Sequence, residues 1–226
     1  MQTLVLFDID GTLLEMTGNN CHFQAYRDAF RKVFGVGTSI TWGELQGYTE
    51  QMVIHEALDR EGVGRDEIKK KMKQCMVAIS SSFNRNLEKT EITPLPGIPG
   101  LLDELKRRGA MLGLVTGNLS EVAEGKLKKI GIYDYFSVGG FGEYHMNRAE
   151  LVRIAVGKAK KKGFTGNDIF LVGDSIFDIK AGNEAGVKTI GVLTGHTPET
   201  KLKAAGSDYV LKDLSDTKMF LEITCQ

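Results

Sequence analysis

Two acidic motifs are the first candidates for chemistry in this sequence. Asp8-Ile9-Asp10-Gly11-Thr12 places two carboxylates two residues apart, directly after a short apolar run. Gly173-Asp174-Ser175 also follows an apolar run, and a third carboxylate comes shortly afterwards at Asp178. Neighbouring carboxylates repel each other unless a cation or a shared proton holds them together. These motifs therefore predict a site that binds a hard cation and uses carboxylates in catalysis.

A third motif, Thr116-Gly117-Asn118, follows the apolar run Met111–Val115. The threonine offers a hydroxyl donor. The amides of Gly117 and Asn118 are expected at the start of the following helix, where backbone N–H groups favour an anion. The motif predicts a site for a phosphate or a similar anion.

The elements that must position these residues alternate along the chain. Short apolar runs without polar alternation are typical of strands buried on both faces of a parallel sheet. We expect five of them: Leu4–Phe7, Met111–Val115, Asp168–Val172, Thr189–Leu193 and Tyr209–Leu211. Helical periodicity lies between them, and several helices stop at a glycine. These helices are expected at Leu101–Arg108, Glu121–Ile130, Asn147–Lys162 and Ile176–Ala185. The alternation predicts an α/β fold with a doubly wound, mainly parallel sheet.

Residues 15–92 interrupt this alternation. No second strand is expected between Phe7 and Met111, and helical patterns fill the interval at His22–Phe34, Trp42–Glu61 and Arg65–Lys89. The sequence thus predicts a core of residues 1–14 and 93–226, with an inserted helical cap of residues 15–92. The chain is expected to cross between them near Glu15–Asn20 and Thr93–Gly97.

Ligands of open α/β sheets bind beyond the carboxyl ends of the strands. Asp8, Thr116 and Asp174 each follow a predicted strand. The topology therefore brings the three motifs together at one edge of the sheet.

These residues resemble a known family. Asp8-Ile9-Asp10-Gly11-Thr12-Leu13, Thr116 and Gly173-Asp174-Ser175-Ile176-Phe177-Asp178 are similar to three of the four signature motifs of the haloacid dehalogenase-like superfamily. The chain looks most similar to its phosphoglycolate phosphatase-like and β-phosphoglucomutase-like members. The resemblance covers essentially the whole chain and implies a Rossmann-like core with a helical cap inserted after the first strand.

The resemblance implies a phosphatase that works through an aspartyl-phosphate intermediate, and the chemistry of the residues agrees with it. Asp8 is the expected nucleophile. Asp10 is the expected general acid, which later activates water, so its environment must differ from that of Asp8. Asp8, Asp174 and the backbone carbonyl of Asp10 are expected to hold Mg²⁺. Thr116 is expected to bind the phosphate, together with the amides of Gly117 and Asn118.

The fourth motif normally supplies a lysine near the phosphate, and this sequence departs from it. Relatives place the cation at the start of the helix before the Gly-Asp motif, and Arg148 occupies that position here. Asn147 suits the N-cap of this helix, which puts Arg148 in its first turn. Lys158 lies about 15 Å further along the helix axis. Arg148 is therefore the expected cation. Its planar guanidinium would contact the phosphate where the family normally has the compact ammonium of a lysine.

Four further residues are expected near the site. Asp178, with Ser175, is expected to bind the cation or to support its ligands. Thr49 belongs to the segment Gln46–Glu50, which resembles a cap loop that faces the site in relatives. His145 lies in the loop that leads to Arg148. Thr49 and His145 are therefore candidates for contact with the substrate.

Composition limits the remaining functions. Lys and Arg number 29, as do Asp and Glu, so the formal net charge is zero, which argues against nucleic-acid binding. No apolar run reaches the roughly 20 residues that span a bilayer. Three scattered cysteines suit a reducing cytoplasm. The expected partner is a small phosphorylated metabolite, with no nucleic acid or membrane, and the chain is expected to be a monomer or a homodimer.

The leading hypothesis is a Mg²⁺-dependent hydrolase of small phosphate monoesters, such as phosphoglycolate or a sugar phosphate. A phosphomutase that shares the same intermediate is the main alternative. Dehalogenation is disfavoured because it needs neither a metal nor a proton from Asp10. A Schiff-base lysine in the cap stays open, although no cap lysine stands out. A non-catalytic phospho-acceptor module is disfavoured by the long helical insertion.

Overall fold

The computed structural model describes residues 2–17, 21–38, 45 and 47–225. Within these residues six parallel strands form the central sheet, in the order β5-β4-β1-β6-β7-β8. Their bounds are β1 Thr3–Phe7, β4 Met111–Val115, β5 Val138–Gly140, β6 Asp168–Gly173, β7 Lys188–Val192 and β8 Tyr209–Leu211. The predicted α/β fold with a mainly parallel, doubly wound sheet is confirmed.

Strand β1 shows why the apolar runs form buried strands. It lies between β4 and β6, and Val5 is in register with Leu112 on one side and Phe170 on the other. Alternate side chains enter different apolar clusters. Val5 and Phe7 pack on one face of the sheet and Leu4 and Leu6 on the other. Because both faces are covered, every position in the strand favours an apolar residue.

Helices cover both faces of the sheet and form the inserted segment. Their bounds are α1 Cys21–Phe34, α2 Glu50–Arg60, α3 Arg65–Asn86, α4 Ile98–Arg107, α5 Ser120–Lys129, α6 Arg148–Lys161, α7 Ile176–Ala185, α8 Glu199–Ala204 and α9 Thr217–Thr224. The predicted helices of the core are confirmed to within a few residues. Gly186 ends α7 with a φ of 74°, the left-handed conformation that favours glycine at a helix end. Among the described helices, none is both long and apolar enough to cross a membrane.

A second, two-stranded sheet stands where the chain leaves and re-enters the core. Strand β2, Leu14–Thr17, pairs antiparallel with β3, Glu91–Pro94, and Leu14 is in register with Pro94. The expectation of no strand between Phe7 and Met111 is therefore wrong. Each strand has four residues and includes a glutamate, so no apolar run marks it, and its partner lies more than 70 residues away. The core and cap boundaries at 14/15 and 92/93 stay a prediction, and this ribbon runs across both.

The cap helices have an apolar cluster of their own. Phe30 of α1, Ile54 of α2 and Phe83 of α3 are fully buried in it, and Val122 of α5 joins it from the core side. Because α5 contributes to this cluster, it links the cap to the core.

One predicted helix differs from the structure, and one strand of the structure was not predicted. The helix expected over Trp42–Glu61 begins only at Glu50, since Gly47 has a φ of 79° and Thr49 is extended. Trp42 and Gln46 lie outside the described residues. Strand β5 was not expected, because two of its three residues are glycines, which are depleted in strands.

Candidate active site

The carboxyl ends of three strands meet at one edge of the sheet, as the topology predicts. Asp8 follows β1 and its backbone N–H donates to Val172 of β6. Thr116 follows β4 and its N–H donates to Gly140 of β5. Asp174 follows β6, next to β1 in the sheet. The regular ladder of a parallel sheet therefore sets the relative positions of these side chains.

Arg148 is the central cation of this edge. It is the first residue of α6, and the side chain of Asn147 caps the helix by accepting from Ala149 N at 2.9 Å, as predicted. Its Nη2 lies 2.7 Å from Asp8 Oδ1 and 2.6 Å from Asp178 Oδ1. Only 7% of Arg148 is exposed, and its buried Nε has no hydrogen-bond partner among the described residues. The guanidinium thus joins the nucleophile candidate to the acidic motif after β6.

Asp178 links two parts of the site. Its Oδ2 accepts hydrogen bonds from Ser175 N at 3.1 Å and from Ser175 Oγ at 2.6 Å, and these close the capping box of α7. Its Oδ1 faces Arg148. The sequence left open whether Asp178 binds the cation or supports other residues, and the geometry gives it a supporting contact on each oxygen.

Three carboxylates form a group that could hold a metal ion. Ligand oxygens of Asp8, Asp174 and Asp178 all lie within 4.8 Å of one another. Burial, followed by the charges of Asp178 and Asp8, raises the pKa of Asp174 to about 8. Burial likewise raises the pKa of Asp8 to about 7, against the opposing effect of Arg148. Among the described residues these three carboxylates lie beside one guanidinium, that of Arg148, so the group is short of positive charge. An all-oxygen, acidic set of this kind fits Mg²⁺.

The walls around Asp174 leave little room for any other side chain. A Cβ placed on Gly195 would lie 1.7 Å from Asp174 Oδ2, and one placed on Gly11 would lie 2.8 Å from the same atom. Gly11 also has a φ of 78°. Both glycines are therefore needed for Asp174 to reach the group.

Asp10 lies in a different environment from Asp8. Its carboxylate does not belong to the acidic group but faces Lys126, whose Nζ lies 2.8 Å from Oδ1 and 2.7 Å from Oδ2. Asn118 Nδ2 donates to the same carboxylate at 2.7 Å. Although burial raises the pKa of Asp10, the charge and hydrogen bonds of Lys126 outweigh it and lower the pKa below its usual value. The two aspartates of the first motif thus have pKa values shifted in opposite directions. Coordination of a metal by the Asp10 backbone carbonyl stays a prediction.

Thr116 and Asn118 form a short hydrogen-bonded unit. Thr116 Oγ1 accepts from Asn118 N at 3.3 Å and from Asn118 Nδ2 at 2.8 Å. The hydroxyl proton of Thr116 is therefore left to donate to another group. Gly117, the next residue, lies so close to the backbone of Tyr48 that a Cβ on it would be 2.2 Å from Tyr48 O.

The helix that was expected to begin at the amides of Gly117 and Asn118 begins later in the structure. Helix α5 begins at Ser120, two residues later than the predicted site, and Ser120 N donates to the carboxylate of Glu143 at 3.0 Å. That helix start is therefore already neutralised by an acidic side chain. Phosphate binding by the amides of Gly117 and Asn118 stays a prediction, and the Asn118 amide is engaged with Thr116.

The cap closes over this edge of the sheet. Glu50 N donates to Gly117 O at 2.9 Å, and Thr49 Oγ1 donates to Met146 O at 3.1 Å. Thr49 is fully buried and ties the cap to the loop before Arg148. His145 is exposed, and its Nδ1 accepts from Asn147 N at 2.9 Å. Contact of Thr49 or His145 with a substrate stays a prediction.

Sequence reasoning missed Lys126. It stands in α5 among Lys128 and Lys129, so it resembles the basic residues that end many helices. One signal was available. Lys126 is spaced with the apolar residues Val122, Ala123 and Leu127, on the buried face of the helix. A lysine on that face requires a buried partner, and Asp10 is that partner.

Comparison with known proteins agrees with this architecture. Residues 5–192 match the family model described as haloacid dehalogenase-like hydrolase. A phosphoglycolate phosphatase of Aquifex aeolicus is 26% identical over 222 residues, which are 94% of this chain and 93% of that protein. A pyrophosphatase PpaX of Bacillus velezensis is 31% identical over 144 residues, 62% of this chain and 65% of the relative.

The fold has close counterparts among solved structures. The crystal structure of a hydrolase from Pseudomonas syringae matches with a TM-score of 0.69 over 100% of both chains, at 19% identity. At that identity the likeness shows the fold alone. The family match covers most of the chain, including β4, β6 and the residues from Asp8 to Asp178. The chain therefore belongs to the haloacid dehalogenase-like hydrolases and is an enzyme of the phosphatase type.

Proposed function

We propose that this chain is a Mg²⁺-dependent hydrolase of small phosphate monoesters that works through an aspartyl-phosphate on Asp8. One observation carries the proposal. Asp8 lies at the end of the central strand, 2.7 Å from Arg148 Nη2, in a buried acidic group with Asp174 and Asp178. A carboxylate held between a phosphate-binding cation and a cation site is suited to attack phosphorus.

In the first step Asp8 attacks the phosphorus atom. A bond forms between an Asp8 oxygen and phosphorus as the bond between phosphorus and the ester oxygen breaks. Protonated Asp10 gives its proton to the departing oxygen, so the leaving group departs as an alcohol. Arg148 and the free hydroxyl proton of Thr116 bind the equatorial oxygens of the phosphoryl group.

In the second step Asp10 acts as a base. It takes a proton from a water molecule, whose oxygen attacks the phosphorus as the bond to Asp8 breaks. Inorganic phosphate leaves, and Asp8 and protonated Asp10 are restored. In the substrate-free molecule Lys126 favours the ionised form of Asp10. The negative charge of a bound phosphate ester raises the pKa of this carboxyl, so Asp10 takes up the proton that the first step uses when the substrate binds, and loses it again after phosphate leaves.

Asp8, Asp174 and Asp178 are the side chains proposed to hold Mg²⁺ or to support it, with the Asp10 carbonyl. When bound, the cation offsets the repulsion between the Asp8 carboxylate and the incoming phosphate and stabilises charge in the transition state. The shortage of positive charge in this group supports its role as a cation site.

The substrate is proposed to be small, because the cap lies directly on the site through Glu50 and Thr49. The relatives are named for phosphoglycolate and for pyrophosphate. We propose phosphoglycolate or a similar phosphorylated metabolite. A cytoplasmic location and a monomeric or homodimeric state belong to the same proposal.

Phosphate release from 2-phosphoglycolate, pyrophosphate and p-nitrophenyl phosphate tests the proposal. With Mg²⁺ the wild type should turn over at least one of them, EDTA should stop turnover, and added Mg²⁺ should restore it. Asp8→Asn should lower kcat by at least about 10³-fold. Asp66→Asn, at an exposed position on α3, is the matched control and should retain full activity.

Two outcomes would overturn the proposal: turnover by Asp8→Asn, or full turnover in EDTA. Hydrolysis should also exceed transfer of the phosphoryl group to a second hydroxyl of a sugar phosphate. An isomerase assay with a bisphosphate primer measures that transfer, and a faster isomerase rate would replace the hydrolase by a phosphomutase.

A further inference from the structure

We propose that Lys126 is a positioning residue that holds the Asp10 carboxylate in place for proton transfer to the leaving group. The proposal rests on the proposed function, since it concerns the acid of that reaction. It starts from a lysine that is completely buried, at 0% exposure, in a helix that also carries exposed lysines.

All three hydrogen-bonding positions of the Lys126 ammonium are used by the site. Nζ lies 2.8 Å and 2.7 Å from the two oxygens of Asp10 and 2.9 Å from Asn118 Oδ1. Because Lys126 contacts both oxygens of Asp10, it restricts rotation of the carboxylate as well as its position. A lysine ammonium has three donors, and here each one has an acceptor.

Asn118 connects this pair to the phosphate side of the site. Its Nδ2 donates to Asp10 Oδ2 at 2.7 Å and to Thr116 Oγ1 at 2.8 Å. The chain of contacts therefore runs from Thr116 through Asn118 to both Asp10 and Lys126. The carboxylate that must reach the leaving group is set relative to the hydroxyl proposed to bind the phosphoryl group.

The cap covers Lys126 and keeps water away from it. Nζ lies 5.6 Å from the centre of the Phe83 ring of α3, a distance at which the ring attracts a cation. Burying an ammonium costs several kcal/mol unless it is paired. A leucine would fill this place in the cluster without that cost. The buried charge is therefore best explained by what it does to Asp10.

If Lys126 positions the acid, its loss should matter most for poor leaving groups. An alkyl alkoxide departs only if it receives a proton, whereas p-nitrophenolate departs as the anion. The ratio of kcat/KM values for these two kinds of ester therefore reports the placement of Asp10. A residue that only supports the fold would change both values by the same factor.

The test compares Lys126→Met, Lys126→Arg and the wild type with Mg²⁺, on 2-phosphoglycolate and p-nitrophenyl phosphate. Methionine keeps the unbranched chain and removes the charge. For Lys126→Met we expect kcat/KM to fall about 10²- to 10⁴-fold on the alkyl ester and less than about tenfold on p-nitrophenyl phosphate. Lys126→Arg should recover part of the alkyl loss. Lys128→Met, at an exposed lysine paired with Glu124, is the control and should match the wild type.

An equal loss on both esters, or no loss, would overturn the inference and leave the hydrolase standing. A wild type that hydrolyses neither ester would overturn the proposed function and the inference with it. If Lys126→Met does not fold, as judged by circular dichroism, Lys126→Arg decides the matter. Because its charge is displaced, Lys126→Arg should lower kcat/KM on 2-phosphoglycolate by a larger factor than on p-nitrophenyl phosphate. The same factor on both esters would overturn the inference.

Discussion

The two aspartates of the first motif lie two residues apart, yet they belong to two differently charged halves of the site. In the Asp8 half, three carboxylates share one guanidinium. In the Asp10 half, one carboxylate faces one ammonium, with Asn118 between Asp10 and Thr116. The Asp8 half is short of positive charge, whereas the Asp10 half is already neutral.

This difference explains how one motif can supply two kinds of chemistry. In an extended segment, residues two positions apart point to the same side, so Asp8 and Asp10 would face the same way if the strand continued. A turn after Ile9, where Leu13 N and Leu14 N donate to Ile9 O, redirects the chain. As a result Asp8 faces the acidic group and Asp10 faces α5. The proposed cation site and the proposed acid therefore lie on different sides of the motif.

Removing Arg148, the one cation that the described part of the chain places in the Asp8 half, should have the largest effect on stability. Arg148→Met leaves the buried carboxylates of Asp8 and Asp178 without their guanidinium, and loss of one partner from a buried ion pair costs about 3–5 kcal/mol. We expect the free energy of unfolding to fall by that amount in urea denaturation at pH 8 with EDTA, with phosphatase activity lost.

The control for this variant is Arg153→Met on the same helix, where the side chain is exposed and pairs with Glu150. It should change the free energy of unfolding by about 1 kcal/mol or less. An Arg148→Met variant as stable as that control would contradict the ion-pair description of the Asp8 half.

A smaller effect is expected at the edge of the Asp10 half, where Glu50 is buried. Burial raises the pKa of its carboxyl to about 7, and the charges of Glu143 and Asp10 add to the rise. A hydrogen bond from Tyr26 and the charge of Lys126 oppose it. His22 Nε2 lies 3.9 Å from the same carboxyl. From pH 4.5 to about 7 the folded chain therefore holds a proton that the unfolded chain has lost. The free energy of unfolding should decrease as pH rises through this range and level off above it.

Glu50→Gln should remove this part of the pH dependence. The shift from 4.5 to about 7 corresponds to a contribution on the order of 3 kcal/mol. Urea denaturation at pH 5 and pH 8 measures the fall in the free energy of unfolding between these pH values. This fall should be smaller in the variant than in the wild type, by about that amount. Glu121→Gln, at an exposed glutamate of α5, should behave like the wild type. If the free energy of unfolding changed equally with pH in Glu50→Gln and in the wild type, Glu50 would be ionised at both pH values.

The Asp8 half could largely be predicted from the sequence, because its residues follow buried strands. Apolar runs predict those strands, and parallel strands bring their carboxyl ends to one edge of the sheet. Arg148 was predicted from the position of the cation in the family that the sequence resembles, and Asn147 supported it by marking the start of the helix. These signals are local in sequence, and the sheet only assembles them.

The Asp10 half could not be predicted in the same way. The contact of Lys126 with Asp10 joins residues that are 116 positions apart, and no local pattern pairs them. The ribbon of β2 and β3 was missed for the same reason, because four-residue strands with charged members depend on their partner. Both features depend on contacts between segments that lie far apart in the chain, and the sequence gives no local pattern for such contacts.

The difference between the two halves is tested most directly by Mg²⁺ binding, measured by isothermal titration calorimetry without substrate. The wild type should bind about one equivalent. Asp174→Asn should weaken binding more than about tenfold, because it removes a carboxylate of the Asp8 half. Asp10→Asn should bind within about threefold of the wild type, because its side chain belongs to the neutral half. If Asp10→Asn abolished binding while Asp174→Asn left it unchanged, the cation would be held by the other half of the site and the account would be wrong.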